Sequence, residues 1–149
     1  MSKHPLVKFT KILLDFMFFG GIIVSATVPF SFSYVGRYYS IFKSYYVPFC
    51  IIFMAAGAVA VVILGELRSM FRTVIREDPF VTENVTSLKR MGICAFIISA
   101  IMALRLFIVV TPAALVLVAV FLIAGLFSLV LSLVFDQAVT YKQENDLTI

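Results

Sequence analysis

The sequence predicts an all-α membrane protein with four transmembrane helices, and three observations carry that reading. The chain is strongly apolar: 62% of its 149 residues are hydrophobic, 13% are charged, and the mean hydropathy is +1.10. A soluble domain of this size has too little interior for so much apolar surface, so lipid must solvate it. The apolar residues fall into four runs, about 12–30, 47–65, 91–110 and 113–135. The basic residues lie almost entirely on one side of those runs. The expected architecture is a single domain over 1–149. It is an antiparallel bundle with both termini cytoplasmic and a cytoplasmic helical hairpin between helices two and three.

Each run is close to the ~20 residues that cross a bilayer at about 1.5 Å per residue. Backbone in lipid must satisfy its own hydrogen bonds, which selects helices. Asp15 lies near the start of the first run, the second and fourth hold no charge, and the third holds only Arg105. The first run has a basic start and small residues at Ser25, Ala26 and Thr27. Its length and Asp15 nonetheless favour a retained span over a cleaved signal.

Lys3, Lys8, Lys11, Arg68, Arg72, Arg76, Lys89, Arg90 and Lys142 fall on one side of the spans, against Arg37 and Lys43 on the other. This asymmetry of nine to two places the termini and residues 66–90 in the cytoplasm. Cys50 and Cys94 then lie at opposite membrane faces, too far apart for a disulfide. They have no zinc or redox spacing.

Small residues recur every fourth position: Gly21 and Ser25; Ala56 and Ala60; Ala95, Ser99 and Ala103; Ala124, Ser128 and Ser132. Such stripes let helices approach closely, within the bundle or between two copies in a homo-oligomer. Val110, Thr111, Pro112 and Ala113 form a tight turn between the last two spans.

The segment 31–46 holds five of the six tyrosines. Tyr34, Tyr38, Phe42, Tyr45 and Phe49 follow helical spacing, as expected of an amphipathic segment at headgroup level. A sharper reading makes Tyr34 and Tyr38, with Arg105, an outer patch that senses or carries a small molecule or lipid. Arg105 is a charge inside a span, which points to function. Seven residues before Pro112, it is also placed to snorkel.

Residues 66–90 hold nine of the twenty charged residues. Leu67, Met70, Phe71, Val74 and Ile75 continue helix two beyond the membrane, and Arg68, Arg72 and Arg76 form a stripe on it. Asp78 is expected to cap a further helix with Pro79 at its first position. An antiparallel register brings Glu66 near Arg90 and Arg72 near Glu83. The stripe suits solvation, anionic headgroups or an acidic protein surface. Its interleaved acids make direct nucleic-acid binding unfavourable.

Asp15, Glu66 and Asp136 approach the same boundary and either gather as an acidic site or pair with bases such as Lys11 and Arg90. No phosphate loop, nucleophile–base pair or metal spacing is present in the sequence, so no catalytic residue, metal or cofactor is expected. Spans two and four lack the polar interruptions of pores and transporters.

Asp78-Pro79-Phe80, Glu83-Asn84, Leu88 and Gly92, with the ending Glu144-Asn145-Asp146-Leu147-Thr148-Ile149, resemble the signatures of the YoaS-like bacterial four-helix membrane proteins. The resemblance covers the whole layout. It implies a multi-pass protein of the bacterial cytoplasmic (inner) membrane that binds or sequesters a small cytoplasmic helix-turn-helix regulator. It carries no catalytic residues. Its motifs supply Pro79, Phe80, Glu83, Asn84 and Glu144–Ile149 as candidate contacts. They stand beside Arg68, Arg72, Arg76 and Asp78 from the charge pattern. Leu147 and Ile149 are expected to pack near Phe80 or to serve as a free peptide. An accessory role in a larger membrane complex is a further alternative.

Overall fold

A computed structural model describes residues 5–147, without the side chains of Ile41 and Phe42. Lys3, His4, Thr148 and Ile149 lie outside the described residues. Six helices follow one another: α1 Pro5–Ala26, α2 Val28–Val35, α3 Ser40–Ser44, α4 Tyr46–Ile75, α5 Thr82–Leu106 and α6 Pro112–Leu147. No strand occurs among the described residues. α1, α4, α5 and α6 are each long and apolar enough to cross a membrane. The described residues are thus all-helical, with four candidate membrane spans.

The first apolar run is not one helix to residue 30. α1 ends at Ala26 and α2 restarts at Val28, with Pro29 in its first turn. Proline has no N–H to donate, and its ring disfavours the helical conformation in the residue before it. The tyrosine-rich segment is helical but broken: Gly36 closes α2, and α3 begins at Ser40. A Cβ at Gly36 would lie 3.1 Å from the Phe32 carbonyl, which suits the bare glycine to this bend.

α4 has 30 residues and α6 has 36. At about 1.5 Å per residue they reach roughly 45 and 54 Å, well beyond a hydrocarbon core of about 30 Å. Helix two therefore continues past its apolar run to Ile75. The last helix runs on to Leu147, further than the apolar pattern indicates. Thr111 starts α6: its Oγ1 accepts the Ala114 N–H at 3.2 Å, and Pro112 takes the first helical position.

The four long helices pack in chain order, α1 on α4, α4 on α5 and α5 on α6. No Cα of α1 comes within 8 Å of one in α5 or α6, so the arrangement is an open row rather than a closed ring. α5 is central and supplies half of the buried residues, including Val85, Leu88, Gly92, Ala95, Ile98, Ser99 and Met102. Outer faces such as Leu6, Phe9, Phe16 and Ile23 of α1 stay exposed, a surface fit for lipid.

Helix contacts use small residues and hydroxyls. Ser99 Oγ donates to the Val118 carbonyl at 2.9 Å, and Ser128 Oγ to the Leu88 carbonyl at 2.6 Å. These bonds join α5 to α6 where no water competes. Gly92 and Gly125 face each other at the crossing. A Cβ on Gly125 would lie 3.0 Å from the Gly92 carbonyl oxygen, and one on Gly92 3.1 Å from the Gly125 carbonyl oxygen. Between α1 and α4, Ser25 lies directly against Gly57, and Gly21 meets Val61. Gly21, Ser25, Ser99 and Ser128 of the small-residue stripes thus serve contacts within the chain, while Ala124 stays exposed.

The start of α1, the end of α4, the start of α5 and the end of α6 share one end of the molecule. Three ion pairs tie them: Arg68 to Asp15 at 2.8 Å, Arg90 to Glu66 at 3.3 Å, and Lys142 to Asp78. The Glu66–Arg90 pair follows the expected register. Asp15 takes Arg68 rather than Lys11, and Asp136 is exposed, so the three carboxylates do not gather into one site.

Candidate partner interface

The turn between α4 and α5 is built by local backbone rules. α4 closes with a Schellman motif: the Asp78 N–H returns to the Thr73 carbonyl at 2.9 Å, and the Glu77 N–H to the Val74 carbonyl at 3.0 Å. That motif requires a left-handed residue, and Glu77 fills it with φ 62°. Glycine is the usual occupant because a Cβ costs about 1 kcal/mol or more there. Glu77→Gly is expected to stabilise the fold by about 0.5–1 kcal/mol, and Glu77→Ala to give no such gain. Chemical unfolding in mixed micelles measures both.

Asp78 does not cap α5. Its backbone is still committed to the exit from α4, and its carboxylate meets Lys142. The residue before α5 is instead Val81, extended at φ −127° and ψ 154°, with no side-chain cap. The turn is fastened from inside by Asn84, only 2% exposed. Its Nδ2 donates to the Pro79 carbonyl at 2.6 Å and to Thr73 Oγ1 at 2.7 Å. Thr73 Oγ1 in turn donates to the Met70 carbonyl at 2.5 Å. One amide thus links the last turn of α4, the loop and the first turn of α5. Asn84 positions the turn from the interior and presents no free donor outside.

Phe80 is 43% exposed and its ring lies 5.3 Å from that of Phe135. On α6, Ser128, Ser132, Phe135, Val139 and Lys142 recur at helical spacing along the side that meets α5 and the turn. The tail does not fold back onto Phe80, because Glu144, Asn145, Asp146 and Leu147 continue helix α6 away from it and Leu147 is 86% exposed. Of the expected tail contacts, Thr148 and Ile149 fall outside the described residues.

The arginine stripe divides in two. Arg68 is held between helices: its Nε donates to Asp15, and its guanidinium lies 4.6 Å and 5.2 Å from the Phe18 and Phe19 ring centres. It ties α1 to α4 and is not an open contact. Arg72 and Arg76 are exposed and form no ion pair among the described residues. Arg72 does not bond Glu83, although both line the same concavity of about 380 Å³. Ser69, Thr73, Arg76 and Ser87 complete much of its wall. Arg72 and Arg76 lie one helical turn apart, so their planar forks face the same side and suit carboxylates or phosphates. Sequence reasoning missed Thr73, Ser69 and Lys142; the i+11 placement of Thr73 and Asn84 across a Pro-containing turn was the available signal.

Arg105 occupies the other end. Its Nη1 donates to Thr111 Oγ1 at 3.1 Å, and its guanidinium lies 5.4 Å and 5.6 Å from the Phe49 and Phe53 rings. It joins α4, α5 and the cap of α6. Tyr34 and Tyr38 are exposed and stack edge to face with centres 5.6 Å apart. No contact joins them to Arg105, so the three do not form one patch.

The family model described as Protein of unknown function (DUF2975) matches residues 31–149. The chain belongs to that family. The match takes in α3, α4, α5 and α6 whole, together with the turn, its asparagine and the long last helix. No curated protein and no solved structure matches the chain.

Proposed function

We propose that this chain is a non-enzymatic protein of the bacterial cytoplasmic membrane that docks a cytoplasmic regulatory protein on the α4–α5 turn. The observation that carries the reading is the pair Arg72 and Arg76, unneutralised beside a concavity whose backbone is held rigid by Asn84. A fixed backbone beneath the pair limits the freedom lost on binding to the two side chains, and their charge accelerates encounter with an acidic surface. The positive-inside asymmetry puts this end, both termini included, in the cytoplasm. The turn and the end of α6 then form a cytoplasmic projection, with Glu83 and Asp78 in the same wall as the two arginines giving orientation through repulsion.

The YoaS-like resemblance suggests a small helix-turn-helix regulator as the partner. In this reading it is sequestered at the membrane by an acidic face, and the protein does not itself touch nucleic acid. Co-purification of the full chain in mild detergent with cytosol at moderate salt tests this. The wild type is expected to retain such a regulator, and R72E/R76E to lose it by tenfold or more while keeping its helicity. Equal retention by both would contradict the reading.

A further inference from the structure

At the opposite end, α2, α3 and the start of α4 border an open cleft of about 730 Å³. Arg37, Lys43, Ser33 and Ser40 line it. Among the described residues none of these four side chains has a hydrogen-bond or ion-pair partner, while the Tyr46 hydroxyl in the same wall is already bonded to the Pro29 carbonyl at 2.8 Å. The chain's eight acids include none between residues 16 and 65 or between 84 and 135. Arg37, Lys43 and Arg105 are therefore cations at an end that supplies no carboxylate.

Phe32 lines this cleft and also a second one of about 390 Å³, bounded by apolar side chains of α1, α4, α5 and α6 such as Val24, Ala60, Met102 and Leu117. A basic, hydroxyl-rich cleft and an apolar slot between the long helices thus share Phe32 as a common wall. The exposed tyrosines around the cleft mark headgroup depth.

We propose that this paired cleft binds an anionic phospholipid, its phosphate on Arg37 and Lys43 and an acyl chain in the apolar slot. The charge selects the headgroup: a zwitterionic lipid brings a cation that these two residues repel. The slot selects a lipid over a soluble anion, because its walls offer an acyl chain apolar contact and a free phosphate nothing. The proposal does not depend on partner docking at the other end.

Native mass spectrometry of the full chain in detergent, titrated with phosphatidylglycerol or phosphatidylcholine, tests it. Phosphatidylglycerol is expected to bind at least tenfold more tightly. R37Q/K43Q should weaken it roughly tenfold to thirtyfold, following about 1 kcal/mol per basic residue. Inorganic phosphate should not compete. Equal affinity for both lipids, a preference that survives R37Q/K43Q, or displacement by phosphate would each overturn the proposal. Phosphatidylglycerol with a photoactivatable acyl chain provides a test on the unaltered protein. Crosslinks at Ala60 or Leu117 support the slot, and crosslinks confined to the outer face of α1 contradict it.

Discussion

Asn84→Leu is expected to destabilise the protein by about 2–4 kcal/mol, the largest effect of any side chain near the turn. Leucine keeps the branching of asparagine but is larger, so some overpacking adds to a cost that is chiefly polar. The substitution removes both Nδ2 donors, leaving the Pro79 carbonyl and the Thr73 hydroxyl short of a partner. Each buried polar group deprived of its bond costs about 1–3 kcal/mol. Asn84→Asp sharpens the argument, since it keeps shape and replaces the donating amide by acceptor oxygens facing a carbonyl. It should cost at least as much near neutral pH. Unfolding in mixed micelles, followed by helicity, gives the values; a change below about 0.5 kcal/mol for both variants would mean that the amide does not hold the turn.

Gly125→Val is expected to have the second large effect, a loss of about 3 kcal/mol or more with separation of α6 from α5. Even the first carbon of a side chain would sit 2.8 Å from the Phe96 ring and 3.0 Å from the Gly92 carbonyl oxygen. The ring can turn aside, but the backbone oxygen cannot move without displacing the helix. Overpacking of this kind typically costs about 1–3 kcal/mol, and a branched side chain against backbone lies at the upper end. Gly20→Ala is the matched control, because nothing lies within 4 Å of a Cβ there. It should gain about 0.5–1 kcal/mol through helix propensity alone. If both substitutions changed stability equally, close approach at the α5–α6 crossing would not be the reason for glycine at 125.

Much of the fold is legible in the chain because lipid imposes simple rules. Apolar length marks the four candidate spans, and the continued periodicity of Leu67, Met70, Phe71 and Val74 marks the extension of α4. Antiparallel register alone brings Glu66 to Arg90. What was not legible depends on how helices rotate and cross. Arg68, Arg72 and Arg76 share one stripe in sequence, yet Arg68 meets Asp15 because α1 packs there. Asp78-Pro79 carries the composition of a helix start, but the Schellman exit of α4 already occupies the Asp78 backbone. Gly92 and Gly125 belong to no pair in the sequence; they meet only because α5 and α6 cross at that height. The cleft lined by Arg37 and Lys43 was half visible, in the absence of acids from 16 to 65. That its cations and serines converge requires the bend at Gly36.

The proposed docking site rests on which end faces the cytoplasm, so one topology measurement tests it most directly. In a chain with Cys50 and Cys94 replaced by alanine, a single cysteine at Tyr38 or at Glu83 is labelled in intact cells with a membrane-impermeant maleimide. Tyr38→Cys is expected to react from outside and Glu83→Cys to react only after the membrane is opened. The reverse pattern would place Arg72 and Arg76 outside the cell and contradict docking of a cytoplasmic protein there.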